Sequence, residues 1–407
     1  MTSVNGRKAL SGVRIADFTW AWAGPYGTFL LGLLGAEIVK IESLKRLDHS
    51  RTQSLTTGQR FAGYDSSTVF NDLNLNKYSV RLNLTRPEAV EIAKRIVAVS
   101  DVVTENMRPG VMERLGLGYD VLRKVKPDII MLSSSALGST GPYRTYIGYA
   151  PVFSALGGVA YVTGTAGGPP VPLYGAIDLR SATMSTFAVL AALNHHARTG
   201  EGQLIDLSSA ESISCLVSHL FAEYQFTGRL PRRRGNDDLY MAPHNSYPCR
   251  NKGWVTIAVG SEGEWQALCR ALGEPEWTKD ARFADGYRRW KNRRTLDQLV
   301  EGWTRQRSAA EATELLQEAG VAATPCFGAS ELAVDPQLEQ RGFFDAVNHP
   351  ALGRREVMGA PWKLSKTPPT IERAAPLLGE HNDYVLGKLL GMSADEIKSL
   401  QEQGVVY

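Results

Sequence analysis

Val13-Arg-Ile-Ala-Asp-Phe-Thr19, then Gly24-Pro25, the apolar run 26–34 closed by Gly35, and Glu37-Ile-Val-Lys-Ile-Glu42 decide the fold. The first segment has the β-branched, apolar character of a buried strand. Gly24-Pro25 then punctuates the chain, and residues 26–34 suit a helix that Gly35 ends. Residues 37–42 read as a second strand. Strand, helix, strand at this spacing is a βαβ unit, the seed of a mostly parallel sheet and of an α/β fold.

The alternation continues outward. Residues 79–84 predict a strand and 87–100 a helix. Residues 101–105 predict a short strand, and 111–115 open another helix. Residues 128–134 read as a buried strand, 181–198 as a long apolar core helix, and 203–207 as a further strand. Pro231-Arg-Arg-Arg-Gly-Asn-Asp-Asp238 looks like an exposed connection. A strand over 254–259 and helices over 263–272 and about 295–319 follow it. The expected division is a large domain over 1–222, a smaller one over 223–325, and a return to the large domain over 326–407, ending in a helix from Ser393.

The chain has 407 residues, 43% hydrophobic and 21% charged, with a formal net charge of +3. That supports two domains with a sizeable core. It does not suggest a nucleic-acid binder, which would concentrate its cations on one face. No uninterrupted apolar run approaches the roughly 18–20 residues of a membrane span. The polar start Met1–Lys8 lacks a signal-peptide core, so a cytoplasmic location is expected. Cys215, Cys249, Cys269 and Cys326 show neither a CxxC pair nor metal-ligand spacing, so no metal site is expected.

Three stretches could carry chemistry. In Gly167-Gly-Pro-Pro-Val-Pro-Leu-Tyr-Gly-Ala-Ile-Asp178 a Gly/Pro-rich loop delivers a carboxylate to the start of the long helix. The helix dipole and backbone N–H groups there would keep Asp178 ionised and fit to act as a nucleophile. The plain alternative is an ordinary helix cap. Phe18-Thr-Trp-Ala-Trp22-Ala-Gly-Pro-Tyr26 lies past the first strand, where ligands enter open α/β sheets, against the alternative of a packed turn. No GxGxxG follows it, so a dinucleotide reading fails although Glu42 ends a strand as a ribose-binding acid would. Asn106-Met-Arg108-Pro-Gly110, with Arg114 beyond, sets an amide and two cations around a turn that suits phosphate oxygens or a solvated helix start. Arg232–Arg234 reads as a solvated loop. His195 and His196 diverge on one helix, and His244 is a candidate site-lining residue.

Taken together, these segments resemble the class III CoA-transferases of the CaiB–BaiF type. The matching stretches are Leu10–Phe18, Ala23-Gly24-Pro25, Leu34–Glu42, Asn74-Leu-Asn-Lys77, Glu105-Asn106…Pro109-Gly110, Gly138–Tyr143, Asp178, Arg198–Gln203 and Pro376–His381. The resemblance covers nearly the whole chain. It implies a Rossmann-like large domain plus a smaller α+β domain, in an interlocked, ring-like dimer. It implies that Asp178 is the nucleophile and forms first an acyl anhydride and then a CoA thioester. Ala21, Trp22, Lys77, Asn106, Met107, Arg114 and Ser135 match the family's CoA contacts. Coenzyme A thioesters enter as substrates, with no permanently bound cofactor.

There are departures. Trp22 stands where formyl-CoA transferase has glutamine, and Asp237–Asn245 replaces a glycine-rich lid, which points to a larger or aromatic acyl group. The racemases of the same family carry a histidine where this chain has Tyr149, and tyrosine is a poor base beside a thioester. A racemase and a non-catalytic subunit of a heteromer are therefore the alternative functions. The Trp-Ala-Trp-Ala-Gly-Pro start and residues 70–77 most resemble transferases that use succinyl-CoA and benzylsuccinate-type aromatic acids. The expected partners are these substrates and a second chain, identical or paralogous, with neither nucleic acid nor membrane.

Overall fold

A computed structural model describes residues 8–52 and 63–407. Strands β1 (Arg14–Asp17), β2 (Glu37–Glu42), β3 (Lys77–Arg81), β4 (Val102–Glu105), β5 (Ile130–Ser135) and β6 (Leu204–Ser208) form one sheet in the order 3-2-1-4-5-6. All its pairings are parallel. A parallel sheet is covered on both faces, so its strands are nearly continuous apolar runs. β2 obeys this with Ile38, Val39 and Ile41 buried, yet it also buries Lys40.

Helix α1 (Ala23–Leu33) links β1 to β2, and α2 (Pro87–Ala98) opens on a proline that suits the first helical turn. Helix α3 (Ala176–Thr199) is longer than expected and starts five residues earlier. It packs on α1, where Gly27 is needed: a Cβ there would come 3.2 Å from the Ala182 carbonyl oxygen. The expected core helix is buried on one face only. One face buries Ile177, Ala182, Val189 and Ala192, while Phe187 on another is exposed. By length and composition α3 also meets the criteria for a membrane-crossing helix, as the core helix of a water-soluble protein can.

The chain folds into two compact units. The first holds Met1–Tyr161, Pro172–Leu230 and Glu339–Tyr407, and the second Val162–Val171 and Pro231–Leu338. The excursion over 162–171 was not legible beforehand. Within the second unit it is tied by Gly235 N–H to the Gly164 carbonyl at 2.8 Å and by Arg233 Nε to the Gly168 carbonyl at 2.9 Å. So at least Arg233 of the arginine run has a backbone acceptor.

The second unit has an antiparallel sheet of β7 (His244–Pro248), β8 (Trp254–Ala258) and β9 (Ala322–Pro325). Helices α5 (Glu262–Ala271), α6 (Arg293–Thr304) and α7 (Ala309–Glu318) pack with it around Trp265, Leu268, Phe283 and Leu296. In the first unit, α4 (Ser218–Thr227) buries no residue. The tail adds an antiparallel hairpin, β10 (Phe344–His349) and β11 (Gly353–Met358), which the sequence reading missed. It then docks His381 N–H on the Ser79 carbonyl at 2.9 Å.

Candidate active site

In a 3-2-1-4-5-6 sheet the order reverses between β1 and β4, and the crevice at their carboxyl ends is where ligands bind. The β1–α1 turn and the residues after β4 meet there. Asn106 grips Trp20 from both sides: its Oδ1 accepts from Trp20 N–H at 2.9 Å, and its Nδ2 donates to the Trp20 carbonyl at 2.8 Å. Ala21 follows with φ +71, a left-handed conformation that a side chain disfavours. Trp22 follows that, and its indole lies against Gly175. A Cβ built on Gly175 would meet Trp22 Cζ2 at 3.4 Å and Cη2 at 3.5 Å.

Gly175 caps α3 without any side-chain cap bond, which puts Asp178 at the third helical position rather than at the cap. The helix is local in origin: Pro169-Pro170 and Pro172 cannot continue a helix through 169–172, and Gly175 releases the chain into it. The amides of Ile177 and Leu179 are taken by the carbonyls of Tyr174 and Gly175, at 2.8 and 2.9 Å. Among the described residues the Asp178 carboxylate accepts no hydrogen bond and has no cationic partner. Burial alone therefore acts on it, and pushes it up to about 6. This corrects the expectation that amides hold it firmly ionised. At pH 7 it is still about nine-tenths carboxylate, and it is more basic than an exposed aspartate.

The other expected site residues fall into three groups. Met107 is half-buried against the core just past β4, and Arg114 is exposed in the short helix Val111–Arg114 that follows. Ser135 ends β5 with a buried Oγ that has no hydrogen-bond partner among the described residues. Lys77 departs from a direct ligand contact. Its Nζ is wholly buried and donates to Asp17 Oδ2 (3.1 Å), the Pro25 carbonyl (2.9 Å), Thr28 Oγ1 (2.7 Å) and Asn74 Oδ1 (3.0 Å). It therefore braces the β1–α1 turn from below. Tyr149, at 68% exposure, precedes the helix Ala150–Leu156 in the first unit. His244 lies in the second unit, with its Nδ1 2.8 Å from the Asn236 carbonyl oxygen.

Other sequence candidates resolve as structural. Glu42 is held by Arg51 at 2.8 Å through both carboxylate oxygens, and by Ser79 at 2.6 Å, so it is not free for a ribose. His196 Nε2 sits 3.0 Å from Asp128 Oδ2. Among the described residues no cluster suits a metal ion. Sequence reasoning passed over Glu105, which burial raises to about 7 although Ser133 Oγ–H and Met107 N–H donate to it. Its signal was an acid ending a strand one residue before Asn106.

The family model described as CoA-transferase family III matches residues 10–382. The chain is 33% identical over 407 residues to the succinyl-CoA–D-citramalate CoA-transferase of Chloroflexus aurantiacus, covering 100% of both. It is 32% identical over 401 residues to the beta subunit of succinyl-CoA–L-malate CoA-transferase from the same organism, covering 98% of each. Among solved structures, a CaiB/BaiF family protein from Brucella suis aligns with a TM-score of 0.85 at 29% identity, covering 94% of this chain and 100% of that one.

Proposed function

We propose, on the premise that this chain belongs to CoA-transferase family III and is a class III CoA-transferase, that it moves CoA from succinyl-CoA to a substituted succinate. The observation that carries the mechanism is Asp178: a carboxylate in the first turn of a helix, half-buried and unpartnered among the described residues, raised to about 6. It attacks the succinyl-CoA carbonyl, the C–S bond breaks, and CoA leaves as a thiolate. The thiolate then attacks the Asp178 carbonyl of the mixed anhydride, releasing succinate and leaving CoA on Asp178. The acceptor carboxylate attacks this thioester, expelling CoA thiolate and forming a second anhydride with Asp178. The thiolate then attacks the acceptor's acyl carbon, giving the new acyl-CoA and releasing Asp178 as a free carboxylate. Thioester and anhydride are of similar reactivity, so each step is nearly balanced.

The donor is proposed because both curated relatives above carry it in their names. Their acceptors, D-citramalate and L-malate, are 2-substituted succinates, and so is benzylsuccinate. Trp22 beside Gly175, and the exposed Tyr174 next to it, support a bulkier substituent. A cytoplasmic location is part of the same proposal.

The test is intact-protein mass spectrometry after incubation with succinyl-CoA, followed by hydroxylamine trapping and peptide mapping. A CoA adduct on Asp178, absent in Asp178→Ala, is the expected result. Failure to transfer CoA to malate, citramalate or benzylsuccinate would sink the acceptor class. Exchange of the α-proton of a branched acyl-CoA without transfer would favour racemisation instead.

The chain is also proposed to work with a second chain, identical or paralogous. Support comes from α4 and its flanks, where Phe221, Tyr224, Leu230 and Phe226 (88%) stay exposed. Monomers seldom leave such a patch bare. One relative is itself named as a subunit.

A further inference from the structure

The turn after β1 is held to an unusual degree. From Thr19 N–H to Ala21 N–H, five successive backbone polar groups are each bound by a side chain. Asp17 Oδ1 accepts from Thr19 N–H at 2.9 Å. Lys40 Nζ donates to the Thr19 carbonyl at 2.6 Å. Asn106 binds both groups of Trp20. Asp48 Oδ1 accepts from Ala21 N–H at 3.0 Å. A side chain at positive φ persists only where its surroundings over-determine it, and such strain gathers at functional sites.

Two of these clamps have no part in the chemistry above. Lys40 and Asp48 are 1% and 3% exposed at their side chains, with Nζ and Oδ2 3.6 Å apart. An ammonium in the middle of a buried apolar strand is costly to desolvate, and replacing such a pair together by hydrophobic residues of similar volume is often no less stable, although removing one partner alone is costly. Stability alone therefore does not account for the pair. Its geometry does: Lys40 fixes the start of the turn and Asp48 its end. The residue that leaves the turn is Trp22, with its indole against the glycine that opens the Asp178 helix.

We infer that Lys40 and Asp48 are positioning residues of the transfer reaction, setting the strained turn that seats Trp22 beside the first turn of the Asp178 helix. The inference rests on the reading of Asp178 as the nucleophile. A displacement of about 1 Å at such a wall can cost roughly 100-fold in rate.

The experiment measures kcat, KM for succinyl-CoA and Tm for Lys40→Met, Asp48→Asn, Trp22→Ala and the double variants that pair Trp22→Ala with each clamp variant. Lys40→Met is expected to lower kcat roughly 10- to 100-fold with KM changed less than about threefold. Each double variant should be no slower than Trp22→Ala by more than about threefold, since the clamp acts through Trp22. Losses that multiply in the doubles, a full kcat in Trp22→Ala, or a lowered Tm with unchanged kcat would each overturn the inference. Should Lys40→Met fail to fold, Asp48→Asn carries the test: it removes the charge that faces Lys40 at nearly unchanged volume, and the same fall in kcat is expected. Ala21→Gly adds a further arm: it relieves the left-handed strain, so kcat should fall while Tm holds or rises. Asp178→Ala separates the two readings. Full activity in it defeats the nucleophile assignment, whereas an inactive Asp178→Ala alongside multiplicative doubles defeats only the clamp.

Discussion

Lys77 Nζ lies 3.1 Å from Asp17 Oδ2, with both side chains 0% exposed. Burial pushes Asp17 up, but the ammonium groups of Lys77 and Lys40 outweigh it and hold the carboxyl below its usual range. Lys77 is brought down to about 8 by burial, against the pull of Asp17. Removing one partner of such a pair leaves an uncompensated charge, at a cost of about 3–5 kcal/mol. Lys77→Met is therefore expected to lower the urea midpoint sharply. The double variant with Asp17→Asn should recover part of the loss. A loss equal in single and double variants would show that the pair itself is not what matters.

The pH dependence follows from Asp178. Its carboxylate must be ionised to attack, and burial places it at about 6. The rate constant kcat/KM is expected to be flat above pH 7 and to fall about tenfold per pH unit well below 6. A profile flat down to pH 4.5 would mean that the nucleophile is solvated like a surface aspartate.

The same shift has a cost in stability. The folded value lies above the ordinary 3.8, so the folded state favours the protonated form. That advantage is complete below pH 3.8 and disappears as pH rises through about 6. Asp178→Asn should therefore raise stability by about 1–2 kcal/mol at pH 8, allowing for solvent screening, and by less at pH 5. The variant should be inactive in transfer. Thermal unfolding at the two pH values checks the sign.

Gly202 has no room for a side chain. A Cβ there would lie 2.3 Å from the Asp128 carbonyl carbon and the Ile129 oxygen, whereas at Gly200 (φ +76) it would meet nothing within 4 Å. Gly202→Ala is expected to cost more than about 3 kcal/mol, because backbone must move. Gly200→Ala pays only the left-handed penalty of about 1–2 kcal/mol. Denaturant midpoints for the two variants should differ accordingly.

If a second chain covers α4, charge placed on that face should release it. Phe226→Asp is expected to shift sedimentation toward the monomer at micromolar concentration. An unchanged mass would place the contact elsewhere.

Much of the first unit was legible from local pattern. β2 runs over Glu37–Glu42 as read, and α1, α2 and β4–β6 fall within a few residues of their expected bounds. Their apolar runs, prolines and glycines act over short distances. The β10–β11 hairpin was missed because its pairing face is largely exposed and polar, so no apolar alternation marks it. The excursion over 162–171 depends on carbonyls of one segment meeting Arg233 and Gly235, some 65 to 71 residues later.

The candidate site divides in the same way. Asp178 could be found from a Gly/Pro-rich loop opening a helix, and Trp22 and Asn106 from their places after β1 and β4. Those are properties of the chain's local order. The charge state of Asp178, the burial of Lys77 beneath the β1–α1 turn, and the hold of Lys40 and Asp48 on Thr19 and Ala21 are not. Each depends on desolvation and on which charges face one another. Those are set only when β1, β2, β4 and the segment after β2 come together, because the energy of a charge belongs to its surroundings and not to its neighbours along the chain.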